Sequence, residues 1–547
     1  MHDDTLVRVT VTRRTLLQVL AGASLFPFHC FAESAPKKGG QALIGYTNEP
    51  AVLNPLTVGL SVDQGVWWTL YSPLWAIDEN GEFVPRLAKE VPTVANGGIS
   101  ADGLRWRIRL REGVKWHDGQ PFTAADVAYT ISLIQNPKFK AVNRSGHMYV
   151  KEIQVVNDHE LTWTMSEPFS PYLSLLSWTF IVPEHIVASA DDPNNSSLNS
   201  KPIGTGPFKF AERVTGDHVT VEANPEHFGE GPYLDRIIFK YIPDMNAMYH
   251  QFESGSVDYY GLSGIGPDKY AGLKAMPNKS VYISDLPAVM NITLNVGNEI
   301  LSSKSVRHAL YYAMDKQPVI DELYYGLPPT TESYLPSGNW AYKPDLPKHE
   351  FNPEKAKELL EAEGWKVGAG GIRAKNGKRL ELVLATTAGN PTQEQTQLLL
   401  QQNWQDVGVA VTINNMPGAV IWGDYWLKSQ YDMLLTYTNV NIASDPNPMQ
   451  RFGSKSIPAQ GGTGYNVYQY QNPELDELMD AALRTSEIPK RREYYFRTQE
   501  IMRDALVMLP LFQMVMIEAT DSRLKGFKGN VNVLANTWNA NTWHWEK

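Results

Sequence analysis

The segment from residue 104 to residue 131 constrains the fold most, because it sets a strand pattern shortly before a helix start. From Leu104 to Leu110, apolar residues alternate with three arginines, and this two-residue period is typical of a half-buried strand. Thr123 and Asp126 stand three residues apart, in the pattern of a capping box that begins a helix. The segment therefore predicts a strand followed by a helix.

Strand and helix patterns continue to alternate along the chain. Apolar runs predict strands over 42–46 and 289–296. A helical spacing of apolar residues predicts a helix over 303–314. Asn-Pro pairs supply an N-cap and a proline for the first turn, so helices are predicted to start after Asn352 and Asn472. This interleaving predicts an α/β fold.

The length of the chain, 547 residues, exceeds what one hydrophobic core usually supports, so two or three domains are expected. The net charge of −10 disfavours nucleic acid or an anionic membrane surface as a general partner. A single cysteine, Cys30, excludes an intramolecular disulfide and any multi-thiolate metal site.

The first 32 residues predict an export signal that is removed by cleavage after Ala32. Arg13 and Arg14 precede an apolar run over 16–28, which is shorter than the roughly 20 residues that span a bilayer. The arginine pair resembles a twin-arginine signal, and an ordinary secretory signal is the alternative. We therefore expect a periplasmic protein without stable membrane insertion, whose mature chain has no cysteine.

Motifs for catalysis or cofactor binding are missing from the sequence. It has no Walker loop, no GxGxxG between a strand and a helix, no HExxH and no GxSxG. Its histidines are scattered without the spacing of metal ligands. These observations predict no cofactor, no metal site and no enzyme. An exported hydrolase stays open as an alternative, because catalytic groups can be far apart in sequence.

The motifs between residues 87 and 131 resemble those of a known family. They are, in order, Asp102-Gly103, Leu110-Arg111, Val114-Lys115-Trp116-His117-Asp118-Gly119 and Phe122-Thr123-Ala124-Ala125-Asp126-Val127. This order is similar to the signature of the extracellular solute-binding proteins of peptide/nickel ABC importers, family 5, of the dipeptide- and oligopeptide-binding type. Further landmarks of the family follow in the same order, at 203–208, 224–228, 306–310, 352–356 and 509–512.

The resemblance implies a two-lobed α/β periplasmic-binding-protein fold of the large class, which closes at a hinge around its ligand. Lobe one would comprise 33–288 and 515–547, with an extra subdomain over about 76–190, and lobe two would comprise 289–514. Two strands that cross between the lobes, near Asn291–Asn295 and Leu511–Met516, would form the hinge. A monomer of this kind would deliver a peptide or similar small solute to the transmembrane subunits of an ABC permease.

The resemblance also places the ligand between two loops, at 47–50 and 437–448. The first loop follows the first strand, and the second carries an acidic-Pro pair. Two tryptophans spaced four residues apart precede the second loop on a predicted helix. The candidate ligand-binding residues are Asn48, Glu49, Trp422, Trp426, Tyr437, Asn439, Asn441 and Asp445.

One position departs from the pattern of the peptide-binding members. These place an aspartate four residues before the proline of the acidic-Pro pair, where it binds the free amine of the ligand. Four residues before Pro446 stands Ile442, so the carboxylate is missing unless Asp445 or Glu49 substitutes for it. Amide side chains nearby both donate and accept hydrogen bonds. A peptide is the favoured ligand, and an oligosaccharide or an opine-like sugar conjugate is the alternative.

Overall fold

The structure is a computed structural model, which describes residues 36–50, 52–57, 61–261, 265–442, 445–462, 464–533 and 535–546. The predicted export signal, residues 1–32, lies outside the described residues.

Strands occur along the whole described chain. In chain order they are β1 Gln41–Tyr46, β2 Trp75–Ile77, β3 Phe83–Pro85, β4 Arg105–Arg109, β5 Val150–Asn157, β6 Glu160–Met165, β7 Phe208–Val214, β8 His218–Ala223, β9 Arg236–Tyr241, β10 Tyr259–Tyr260, β11 Lys279–Leu294, β12 Lys366–Val367, β13 Arg373–Lys375, β14 Lys378–Arg379, β15 Glu381–Ala385, β16 Ala410–Ile413, β17 Met433–Thr438, β18 Asn441–Ile442, β19 Asp445–Pro446, β20 Met508–Asp521, β21 Leu524–Lys525 and β22 His544–Trp545.

Helices alternate with these strands, as the sequence predicts. They are α1 Ser61–Leu70, α2 Ala124–Gln135, α3 Tyr172–Leu176, α4 Glu184–Val187, α5 Met245–Glu253, α6 Tyr270–Ala275, α7 Lys304–Tyr312, α8 Lys316–Pro318, α9 Pro353–Ala362, α10 Pro391–Asp406, α11 Gly418–Val420, α12 Met449–Phe452, α13 Pro473–Arg484 and α14 Ile488–Ala505. Two further segments, Val319–Leu323 and Ile421–Tyr425, are π-helical. None of the helices in the described part of the chain is long and apolar enough to cross a membrane.

A ten-stranded mixed sheet runs through the molecule, in the order β16-β15-β17-β11-β20-β10-β1-β9-β8-β7. Its two long central strands, β11 and β20, pair antiparallel, and their register breaks between Asp285 and Val289. We call the part built on β1 and β7–β10 lobe one, and the part built on β15–β17 lobe two. Both long strands pass from one lobe to the other.

Separate hydrophobic cores lie on the two sides of this break. The core of lobe one includes Ala42, Phe208 and Trp543, so the C-terminal tail packs with the first strand. The core of lobe two includes Ile292 and Trp404. Because each core is buried against its own half of the long strands, the halves belong to different packing units.

A third core fills the small sheet β4-β6-β5 and helix α2. Trp106 stacks on Trp163 there, with ring centroids 5.8 Å apart, and such pairs contribute about 0.5–1.5 kcal/mol beyond their burial. The predicted capping box of α2 is present, since the backbone N–H of Thr123 donates to Asp126 Oδ2 at 2.9 Å. This unit covers residues that the sequence assigns to the extra subdomain.

Candidate functional site

The carboxyl ends of the strands in both lobes point into the same interlobe gap. In lobe two, Thr438 at the end of β17 pairs with Val289, the residue of β11 that follows the register break. In lobe one, β1 runs parallel to β10, and β10 runs antiparallel to β20, which enters lobe one from lobe two. The end of β1 at Tyr46 therefore points toward lobe two. Ligands of open α/β sheets bind at such carboxyl ends.

The lobe-one side of the gap carries the predicted loop 47–50. Asn48 is exposed, so its amide is accessible from the gap. Glu49 Oε1 accepts a hydrogen bond from Arg213 Nη2 at 3.0 Å, and the two side chains are 26% and 24% exposed. This bond holds the pKa of Glu49 below its usual range. Glu49 is therefore a charged group whose negative charge is already balanced within lobe one.

The lobe-two side of the gap carries an aromatic cluster with an arginine at its centre. Trp422 and Trp426 meet edge to face, with ring centroids 6.0 Å apart. Trp426 stacks on Tyr465 at 5.8 Å, and the guanidinium of Arg451 lies 5.5 Å and 5.6 Å from these two rings. Trp422 is 41% exposed. We call these four residues the aromatic–arginine cluster.

Arg451 has an unusual environment for a half-buried cation. Its Nε donates to the backbone oxygen of Asn439 at 3.3 Å, and it forms no ion pair among the described residues. Cation–π contacts favour the charge but do not neutralise it. An anionic group of a ligand would complete this environment.

The residues after β17 differ in accessibility. Tyr437 is 53% exposed and Asn439 is half-buried. The backbone of Asn441 pairs with Pro446 in the short hairpin β18–β19, and the side chain of Asn441 lies outside what the structure describes. Tyr437 is thus more exposed than Trp422, whose exposed fraction is 41%.

Asp445 is occupied within lobe two. It is 4% exposed, and Arg491 donates from Nη2 to Oδ1 at 2.6 Å and from Nη1 to Oδ2 at 3.1 Å. Tyr495 Oη donates to the backbone oxygen of Pro446 at 2.7 Å. Asp445 thus fixes the hairpin against helix α14. Its direct contact with a ligand stays a prediction, and this geometry favours a structural role instead.

Sequence reasoning missed three residues of the site, namely Arg213, Arg451 and Tyr465. Arg213 lies 164 residues from Glu49 in the chain, so no local pattern links the two. Arg451 lies on the short helix α12 directly after the acidic-Pro loop, and this proximity was the one available signal. The structure describes no group of three or more His, Cys, Asp or Glu side chains that could hold a metal ion.

Comparison with known proteins identifies the family. Residues 82–460 match the model of the bacterial extracellular solute-binding proteins, family 5, middle region. The chain belongs to this family. This family 5 protein is 28% identical to the oligopeptide-binding protein AppA of Bacillus subtilis over 478 residues, which cover 85% of this chain and 84% of AppA.

Two solved structures support the same fold. The structure of B. subtilis AppA in complex with a nonapeptide has a TM-score of 0.75 and 26% identity, and covers 94% of this chain and all of the other. The structure of NikZ from Campylobacter jejuni with Ni(L-His) has a TM-score of 0.77 and 26% identity, with coverages of 92% and 99%. The predicted two-lobed α/β fold is confirmed. Because the matched proteins are solute-binding proteins, the interlobe gap is the candidate ligand site of this family 5 protein.

Proposed function

We propose that this protein captures a peptide or a similar small solute in the interlobe gap and delivers it to the transmembrane subunits of an ABC permease. The observation that carries the proposal is the aromatic–arginine cluster on lobe two, in which Arg451 donates to the backbone of Asn439 just after β17. A peptide offers apolar side chains to the exposed Trp422 ring. Its terminal carboxylate can pair with Arg451 in a charge-assisted hydrogen bond.

The anchoring chemistry makes the proposal specific. Both candidate carboxylates have partners inside the protein, since Glu49 pairs with Arg213 and Asp445 with Arg491. A free amine of the ligand therefore has no unpaired acid in the two loops among the described residues. We expect the carboxylate end of the ligand to contribute more to affinity than its amine end.

The test is calorimetric titration of the exported protein with tetrapeptides that differ only at their ends. C-terminal amidation should weaken binding about tenfold or more, which corresponds to about 1.4 kcal/mol or more, whereas N-acetylation should change it little. Trp422→Ala should weaken binding of all peptides. The equally accessible Phe351, which is 45% exposed and outside both loops, serves as a control through Phe351→Ala. Hydrolysis of the peptide by the pure protein would refute the proposal.

A carboxylate-bearing sugar conjugate is the second candidate. The observation that favours it is the exposed Trp422 ring, because sugar faces stack on aromatic rings. The two loops also carry the amides Asn48 and Asn439, and sugar hydroxyls suit amides. Titration with an opine-like conjugate beside the tetrapeptides decides between the two. Binding of the conjugate alone would replace the peptide as the substrate class.

We further propose the lobe boundaries stated above, 33–288 with 515–547 and 289–514, and closure of a monomer at the register break. The separate cores on the two sides of the break support this division. Rotation of one lobe relative to the other requires only a few hinge residues whose backbone angles change. Small-angle scattering with and without bound peptide should show compaction at a constant molecular mass.

We propose that residues 1–32 direct this protein to the periplasm and are then removed. Replacement of both Arg13 and Arg14 by lysine should block export if the signal is of the twin-arginine type. Lysine keeps the positive charge, so an ordinary secretory signal should tolerate the change. N-terminal sequencing of the exported wild-type protein should begin at residue 33.

A further inference from the structure

We propose that a pocket on the outer edge of lobe one binds a small organic carboxylate with a planar apolar part. The pocket has a volume of about 460 Å³. It lies where the extra subdomain, lobe one and the C-terminal tail meet. Arg86, Arg111, Phe228 and Trp538 form its key walls. The inference is independent of the function proposed for the interlobe gap.

Strand register places this pocket away from the interlobe gap. Glu222 near the end of β8 pairs with Arg236 at the start of β9, and Arg236 lies opposite Gln41 at the start of β1. The loop after β8, which carries Phe228, is therefore at the amino edge of β1. The gap is at the carboxyl edge, after Tyr46. A ligand can occupy the pocket without contacting the loops of the gap.

Two guanidinium groups, those of Arg86 and Arg111, line the pocket and form no ion pair among the described residues. The side chain of Arg86 has no hydrogen bond and no ion pair among the described residues, and it lies 5.9 Å from the ring centroid of Trp538. Arg111 donates from Nε to the backbone oxygen of Arg86 at 2.6 Å and forms no ion pair among the same residues. Burial and the nearby Arg111 both lower the pKa of Arg86. A bound anion would offset the repulsion between the two positive charges.

Asp78, Glu79 and Glu230 also line the pocket, together with Lys528, and each of these acidic residues has a partner other than the two arginines. Glu79 pairs with Lys528 at 2.5 Å. Asp78 accepts hydrogen bonds from two backbone N–H groups of its own turn, and Glu230 accepts one from Tyr233. These carboxylates therefore do not form the missing ion pairs of Arg86 and Arg111.

The shape and chemistry of the walls indicate the ligand class. A carboxylate matches the planar fork of an arginine, which can donate two parallel hydrogen bonds to it. The rings of Trp538 and Phe228 offer flat apolar surfaces, and Arg111 lies 5.9 Å from the ring of Phe228. His227 also lines the pocket. A planar carboxylate fits these groups better than a bare inorganic anion.

The proposal is tested by titrating the exported protein with benzoate, with the neutral benzamide and with inorganic phosphate. Benzoate should bind with saturable heat and raise the melting temperature by mass action. Benzamide should not bind, and phosphate should bind more weakly than benzoate. Arg86→Gln and Arg111→Gln should each weaken benzoate binding about tenfold or more. Arg105→Gln, a change at an exposed arginine of β4, is the matched control and should bind benzoate as the wild type does.

Stability without a ligand separates a binding role from a structural one. Arg86→Gln removes an unneutralised charge, so its melting temperature without benzoate should equal or exceed that of the wild type. The proposal is overturned if Arg86→Gln binds benzoate normally, if benzamide or phosphate binds as well as benzoate, or if no heat is seen at millimolar benzoate. A large loss of stability in both variants without benzoate, together with no benzoate binding by the wild type, would assign the arginines to packing alone.

Discussion

The sequence suggests Asp445 as a ligand-binding residue, but in the structure this residue forms a buried ion pair with Arg491. The two side chains are 6% and 2% exposed and meet at 2.6 Å. Asp445→Asn should lower the free energy of unfolding by about 3–5 kcal/mol, because it leaves the Arg491 charge buried without its partner. Urea denaturation measures this loss.

An exposed ion pair in the same lobe gives the control for Asp445→Asn. Glu474 and Arg497 meet at 2.8 Å with side chains 54% and 50% exposed, so Glu474→Gln should cost less than about 1 kcal/mol. If Asp445→Asn keeps wild-type stability but loses ligand affinity, then Asp445 binds the ligand directly. The sequence predicted the position of this residue near the site but could not predict its partner 46 residues away.

Glu518 should make stability depend on pH. It lies on β20, is fully buried, and accepts hydrogen bonds from Tyr259 and Asn536. Burial raises its pKa from 4.5 to about 7. The folded chain therefore holds this proton more tightly than the unfolded chain, and the stability that results is lost as pH rises from 4.5 through about 7.

Glu518→Gln should remove this dependence, because glutamine stays neutral and the hydroxyl of Tyr259 can reverse to accept its N–H. Between pH 4.5 and pH 8 the wild type should lose up to about 3 kcal/mol relative to this variant. Urea midpoints at several pH values measure the difference. The control Glu358→Gln, at a side chain 69% exposed, should run parallel to the wild type. If the urea midpoints of Glu518→Gln change with pH as those of the wild type do, the prediction is contradicted.

At the scale of elements, the sequence predicts those helix ends whose hydrogen bonds join residues close together in the chain. Asn352 and Asn472 cap their helices as the Asn-Pro pattern predicts, and each side-chain oxygen accepts a backbone N–H three residues later. The helix predicted around Trp422 is wrong in detail, because a π-helical segment with a non-helical Gly423 occupies 421–425. Tertiary packing of Trp426 on Tyr465 has no counterpart in the local sequence.

The cap of α13 provides a test at this scale. Asn472 Oδ1 accepts from the backbone N–H of Leu475 at 3.1 Å. Asn472→Ala should lower the free energy of unfolding by about 1 kcal/mol, since it leaves that donor without a partner. Asn472→Asp keeps an acceptor oxygen and adds a negative charge at the helix N-terminus, so it should retain stability. Thermal denaturation of the two variants compares them directly, and an equal loss in both would exclude capping as the cause.

At the scale of the whole molecule, the unit built on β4–β6 and α2 touches lobe two directly. Glu167 pairs with Arg484 at 2.9 Å, and Ser170 Oγ donates to the backbone oxygen of Thr485 at 2.5 Å. The backbone N–H of Ser170 donates to the backbone oxygen of Leu483 at 2.8 Å. These contacts join the two units, so an opening motion that separates the units has to break them.

The contribution of the bridge can be isolated because Arg484 has two acidic partners. Glu167→Gln removes the ion pair between the units and leaves the two Ser170 hydrogen bonds, whereas Asp480→Asn removes the pair within α13 and leaves all contacts between the units in place. An exposed pair contributes less than about 1 kcal/mol, so Glu167→Gln should raise the ratio of open to closed molecules by up to about fivefold. Small-angle scattering of the ligand-free protein should then show a larger radius of gyration for Glu167→Gln than for Asp480→Asn. High salt screens the Glu167–Arg484 pair, so it should bring the radius of gyration of the wild type toward that of Glu167→Gln. Identical radii for the two variants at low salt would show that this pair does not bias closure.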